Sequence, residues 1–78
     1  MDTIIAILES LKPGIDYTTA QDLVTARVLD SLTILALIGE LEDAFDIAIP
    51  AVEIVAENFN SIAAIDALVA RLADEDMF

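Results

Sequence analysis

The chain has no cysteine, no histidine and no tryptophan, and only two glycines and two prolines in 78 residues. Without cysteine there is no disulfide, and without a Cys/His cluster there is no structural zinc site. Without histidine, a serine or threonine hydroxyl lacks its usual activating base. Positive charge is also scarce: Lys12, Arg27 and Arg71 face fifteen acidic residues, for a formal net charge of -12. That balance repels nucleic acid phosphates and anionic lipid, so no nucleic acid partner is expected. Long apolar runs are missing too. The longest, Ile34 to Gly39, is far short of the ~20 residues that span a bilayer. Met1-Asp2-Thr3 lacks the basic start of a secretory signal. A soluble, cytoplasmic protein without membrane insertion is expected, and a monomer.

What is present is apolar and acidic. Hydrophobic residues make up 58% of the chain. A domain this small has few ways to stay folded other than close packing. One domain spanning 1–78 is expected. Its acidity has two readings. It keeps an apolar protein soluble, or it steers partners that carry basic patches.

Apolar spacing predicts an all-α fold. Ile4, Ile5, Leu8 and Leu11, widened by Ile7, predict a first helix over about Thr3 to Leu11. Asp2 and Lys12 suit its two ends, and Pro13-Gly14 stops it. Residues 13–30 read as a long connection, with a short helical turn at Ala20 to Leu23. So long a loop in a small domain is often functional. Ile34, Leu37, Ile38, Leu41 and Phe45 fall on one arc of a second helix, from Ser31 or Leu32 to about Phe45. A short third helix is expected near Val52 to Ala56, just after Pro50. The fourth begins after Asn58 or Asn60, both good caps; Ile62, Ile65, Val69 and Leu72 mark its buried stripe, with Leu68 beside it. Asp74-Glu75-Asp76 is expected to fray. The result is a small four-helix bundle with three main helices and one short one.

Asp30-Ser31-Leu32 stands where the loop becomes the second helix. Asp and Ser are preferred caps, so such a pair is also the ordinary start of many helices. If Asp30 is the cap, the Ser31 hydroxyl is free to project outward. A phosphate on it would meet the positive helix end. The other end of this helix breaks a rule. Glu40, Glu42, Asp43 and Asp46 cluster where the macrodipole disfavours anions, with no basic residue within four positions. Opposite the core arc lie Leu35, Gly39, Glu42, Asp43 and Asp46. That face is either a solvated acidic surface or a docking surface for an apolar pocket rimmed by Arg or Lys.

The order Asp30-Ser31-Leu32, Leu37, Leu41-Glu42, Phe45-Asp46, Ile49-Pro50 and Glu57-Asn58-Phe59-Asn60-Ser61-Ile62 resembles the acyl carrier proteins, which bear phosphopantetheine. Upstream, Ile15-Asp16-Tyr17 and Asp22-Leu23 resemble the loop between the first two carrier helices. The likeness covers nearly the whole chain. It implies a 4'-phosphopantetheine arm, moved from coenzyme A onto Ser31 by a phosphopantetheinyl transferase. Asp30 would help that transferase hold its magnesium ion. Leu32, Leu35, Gly39, Glu42, Asp43, Asp46 and Ile49 would form the partner surface, with Ala51 near its edge. The arm's thiol would hold an acyl or aminoacyl group as a thioester. The partners implied are the transferase, an acyl or aminoacyl activating ligase, and acyl-processing enzymes with basic surfaces.

Fatty-acid carriers of this kind place acidic residues just after Ser-Leu and again three positions on. Here those positions hold Thr33 and Ala36. The resemblance thus leans toward a specialised carrier of nonribosomal peptide, polyketide or D-alanyl type, with the fatty-acid carrier as the alternative. No catalytic residue and no metal site is expected. A Ser31–Lys12 nucleophile would need the two within hydrogen-bond reach. Asp22, Glu42, Asp43 and Asp46 lack EF-hand spacing. A docking module with no prosthetic group is the alternative from another class.

Overall fold

The apolar stripes of the long helices meet in one core. The computed structural model describes the backbone of residues 2–75 and the side chains of residues 2–74. Helix α1 (Asp2–Leu11) buries Ile4 and Leu8, which lie four residues apart on one face. Helix α2 (Ser31–Phe45) buries Leu37, Ile38 and Leu41, with Ile34 and Phe45 packed at the core's edge. Helix α4 (Ile62–Glu75) buries Ile62, Ile65, Leu68, Val69 and Leu72. Helix α1 packs on both α2 and α4, and those two pack on each other. No strand occurs among the described residues. None of their helices is long and apolar enough to cross a membrane.

Local chemistry explains the ends. The Lys12 N–H closes α1 on the Leu8 carbonyl (2.7 Å), and the chain then turns at Gly14, whose φ of 89° suits a residue without Cβ. Helix α2 ends at Asp46, in the left-handed region, with its N–H on the Glu42 carbonyl. Ser61 opens α4: its hydroxyl accepts the Ala64 N–H (3.1 Å).

That last contact corrects the expected caps. Asn60 instead holds the long connection. Its side-chain oxygen accepts the Val24 N–H (2.9 Å) and the Thr25 N–H (3.0 Å), and its carbonyl accepts the Leu23 N–H (3.0 Å). Asn58 donates to the Glu53 carbonyl (2.7 Å). The connection is thus ordered from within: Tyr17, Leu23 and Leu29 are buried, and the Tyr17 hydroxyl donates to the Lys12 carbonyl (2.5 Å). Burial, and then the charge of Glu9, push the Tyr17 pKa up, so the phenol stays a donor. The helical turn expected at Ala20–Leu23 lies at 23–27, with the Ala26 N–H on the Asp22 carbonyl (2.7 Å).

The short third helix also differs. The segment after Pro50 is a 3-10 turn over Ala51–Glu53, and helix α3 (Ala56–Phe59) follows Val55, which is extended. Glu53 sits at this break and is held on two sides. Arg71 of α4 grips its carboxylate with two N–H groups (2.7 and 2.9 Å) while Asn58 takes its carbonyl. These contacts tie the segment to α4 at the break between the two short helices. Phe59 then plugs the core. The fraying expected at Asp74–Asp76 is not seen as far as Glu75, which is still helical; Asp76 lies outside the described residues.

Candidate functional site

The site is built on the first turn of α2. Asp30 sits just before the helix in extended backbone, and its Oδ1 accepts the Thr33 N–H (2.8 Å). Its carbonyl accepts the first helical bond, from Ile34 (2.9 Å). The cap holds the Asp30 pKa below its ordinary value, mainly through the Thr33 N–H and hydroxyl; Lys12 adds a smaller attraction. Lys12 ends the turn after α1, so the closing end of α1 adjoins the opening end of α2.

With Asp30 serving as cap, Ser31 is the first helical residue. It is exposed, and its hydroxyl makes no hydrogen bond among the described residues. Had Ser31 been the cap, its oxygen would be turned back into the helix. Here it faces solvent at the positive end of a fifteen-residue helix. These features suit a phosphodiester on Ser31. The oxygen is accessible, the nearby dipole favours an anion, and no internal bond must break to attach it.

Along the exposed face, Leu32 is 79% and Leu35 62% exposed. Ala36, Gly39, Glu40 and Asp43 are exposed as well. Gly39 has no packing reason to be glycine, because a Cβ there would meet nothing within 4 Å. A mid-helix glycine costs about 0.5–1 kcal/mol relative to alanine. The protein's own fold leaves that cost without a return. Asp46 is exposed with φ 53°, an anion in the left-handed region at the negative end of the helix.

Two expected surface residues are placed differently. Ile49 is 8% exposed and belongs to the core. Its N–H donates to the Glu42 carboxylate (2.9 Å), which pins the crossing segment to the end of α2 and lets the side chain turn inward beside Ile47. Glu42 is therefore half-buried and structural as well as charged. Sequence reasoning missed the exposed apolar residues after Pro50: Val52 is 82%, Val55 46% and Ile54 40% exposed. Val and Ile in a short segment give no periodicity from which a face could be read. Only the break between the 3-10 turn and α3 sets them outward.

The family model described as "Phosphopantetheine attachment site" matches residues 19–72, more than half of the chain. The match takes in the connection from residue 19 onward, Asp30-Ser31 and all of α2. No curated protein and no solved structure matches the chain.

Proposed function

The chain belongs to the phosphopantetheine-attachment family, and from that premise we propose that Ser31 is the residue that takes the arm. Phosphopantetheine is its covalent prosthetic group, and the protein is a carrier. The observation that carries the assignment to Ser31 is its exposed, uncommitted hydroxyl at the first position of α2, beside an Asp30 that does the capping. When bound, the arm supplies a terminal thiol that holds an acyl or aminoacyl group as a thioester.

The chain's own residues do the rest. Asp30 orients the first turn through Oδ1, and its exposed carboxylate is available to a cation brought by the transferase. Leu32, Leu35 and Gly39 offer an apolar, low-relief strip to a partner's pocket. Asp43 and Asp46 steer the basic rim of that pocket, raising the encounter rate without tight binding. Glu42 contributes charge to the same rim while holding Ile49. Val52 extends the apolar strip past the end of α2.

We assign the carrier to a specialised pathway of nonribosomal peptide, polyketide or D-alanyl type. The first turn of α2 has no acidic residue, and Thr33 and Ala36 leave its exposed half uncharged. A partner that reads a charged first turn would find nothing there to hold.

The test is an intact mass after incubation with coenzyme A, magnesium and a broad-specificity phosphopantetheinyl transferase. The wild type gains one phosphopantetheinyl unit, and Ser31→Ala gains none. A unit gained by Ser31→Ala would place the attachment elsewhere. No gain by either would make the chain a docking module.

A further inference from the structure

Of the three basic side chains, two are committed within the fold. Arg71 grips the Glu53 carboxylate. Lys12 is half-buried at the end of α1, and its charge acts on Asp30. Arg27 is exposed, and its guanidinium makes no ion pair or hydrogen bond among the described residues. Acidic groups are plentiful in a chain of net charge -12, yet the fold pairs this cation with none of those described.

The backbone of Arg27 is disfavoured as well. Its φ of 60° lies in the left-handed region, where glycine or asparagine sits more easily. The surrounding contacts impose that bend. The Arg27 N–H donates to the Val24 carbonyl (3.0 Å), and the Leu29 N–H reaches back to the Leu23 carbonyl (2.8 Å). The Asn60 staple holds Leu23, Val24 and Thr25, and Leu23 and Leu29 are buried on either side of the bend. A left-handed turn gains nothing from a long cationic side chain. Held there against its backbone preference, that side chain points to a contact outside the fold.

The chain itself bounds the distance to the attachment site. Arg27 lies four positions before Ser31, so their Cα atoms are at most roughly 14 Å apart. An extended arginine spans roughly 7 Å, a phosphate on the serine oxygen roughly 5 Å and a hydrogen bond about 3 Å, so the two meet even at that limit. A phosphodiester there adds an anion beside the Asp30 carboxylate. The helix end sets only about half a positive charge against those two anions. A guanidinium fork supplies the rest and matches two phosphate oxygens at once.

We propose that Arg27 is the counter-ion of the arm: its guanidinium pairs with the phosphodiester on Ser31 and fixes the root of the arm against the connection. The thiol end stays free to travel. The proposal rests on Ser31 being the attachment residue and deepens that reading.

The test compares full-length apo protein with holo protein whose arm at Ser31 is verified by intact mass. The phosphorus NMR shift of the diester and the hydrogen exchange of the Arg27 Nε–H are read at low and high salt. The variants are Arg27→Gly, Arg27→Lys and Lys12→Gln. Glycine accepts the left-handed bend, so Arg27→Gly removes the charge without straining the fold. At low salt the Arg27 Nε–H should exchange roughly threefold or more slowly in holo than in apo wild type, a difference that shrinks as salt rises. The phosphorus shift should move in Arg27→Gly to that of the same diester on a short Asp-Ser-Leu peptide. It should move partway in Arg27→Lys and stay in place in Lys12→Gln. Equal Arg27 exchange in apo and holo, or a phosphorus shift unmoved by Arg27→Gly, overturns the pairing and leaves attachment at Ser31 intact. A phosphorus shift that moves in Lys12→Gln and not in Arg27→Gly gives the role to Lys12 and overturns it too. Failure of the arm to attach at Ser31 overturns both readings.

Discussion

The two ends of α2 are built on opposite principles. At the start, Asp30 places an anion where the helix is positive, accepts the Thr33 N–H and frees Ser31. At the finish, Asp43 and Asp46 place anions where the helix is negative. Asp46 also holds a left-handed backbone that glycine or asparagine would occupy more easily. One end relieves its own electrostatics; the other leaves them unrelieved. The difference teaches where to look for partners. A terminus that satisfies itself can present a substrate group, and one that does not is open to an outside cation.

The largest effect should come from breaking the stem that joins the two ends. Leu41 is fully buried, and Leu41→Ala is expected to cost about 2–5 kcal/mol, read by urea or thermal unfolding. A wild-type midpoint would mean that the inner face has been misassigned.

Glu42 separates structure from charge at the finishing end. Glu42→Ala leaves the half-buried Ile49 N–H unpaired and should cost about 1–3 kcal/mol. Glu42→Gln keeps an acceptor and should stay near wild type. Equal losses in both would show that the charge matters more than the hydrogen bond. Because Glu42 has this second role, Asp43→Lys is the cleaner probe of steering: it should slow transferase modification at low salt with helicity intact, and the difference should shrink as salt rises.

A smaller effect of opposite sign is expected at Asp46. Asn tolerates the left-handed region and removes the misplaced anion, so Asp46→Asn should stabilise by about 0.3–1 kcal/mol. It should at the same time slow association with a basic partner. Stabilisation without any loss of rate would leave the contrast between the two ends without functional meaning.

The smallest effect is a pH dependence. Glu53 has its pKa lowered, first by hydrogen bonding to Arg71. A depressed folded pKa means that the unfolded chain binds more protons, so stability rises with pH. The contribution is fully present above the ordinary glutamate value of 4.5 and is lost as pH falls through the lowered one. Glu53→Gln should flatten that part of the acid-unfolding curve; an unchanged slope would remove Glu53 from the account. Asp30 is lowered as well, by its cap, so an Asp30→Asn variant should flatten the curve at the opening end.

Much of the fold was legible because it is locally encoded. Residues three and four apart share a helix face wherever the helix sits, so Ile4 and Leu8, Leu37 and Leu41, and Ile65, Leu68, Val69 and Leu72 marked their buried sides in advance. The Asp30 cap and the acidic finish of α2 are local too. The short segment from Pro50 to Phe59 was not legible in this way. Its turn is held to α4 by Glu53 meeting Arg71, eighteen positions away, a contact no local pattern announces.

The amino-acid order by itself determined the three long helices, their inner faces, the capping residue before Ser31 and the excess of negative charge, since each depends on neighbours within one or two helical turns. Tertiary structure alone decided that Asn60 would staple the connection rather than cap α4. It also turned Ile49 inward and Val52 outward and tied Glu42 into the fold. Those outcomes join groups as far as thirty-six positions apart, and only packing brings such groups within hydrogen-bonding distance.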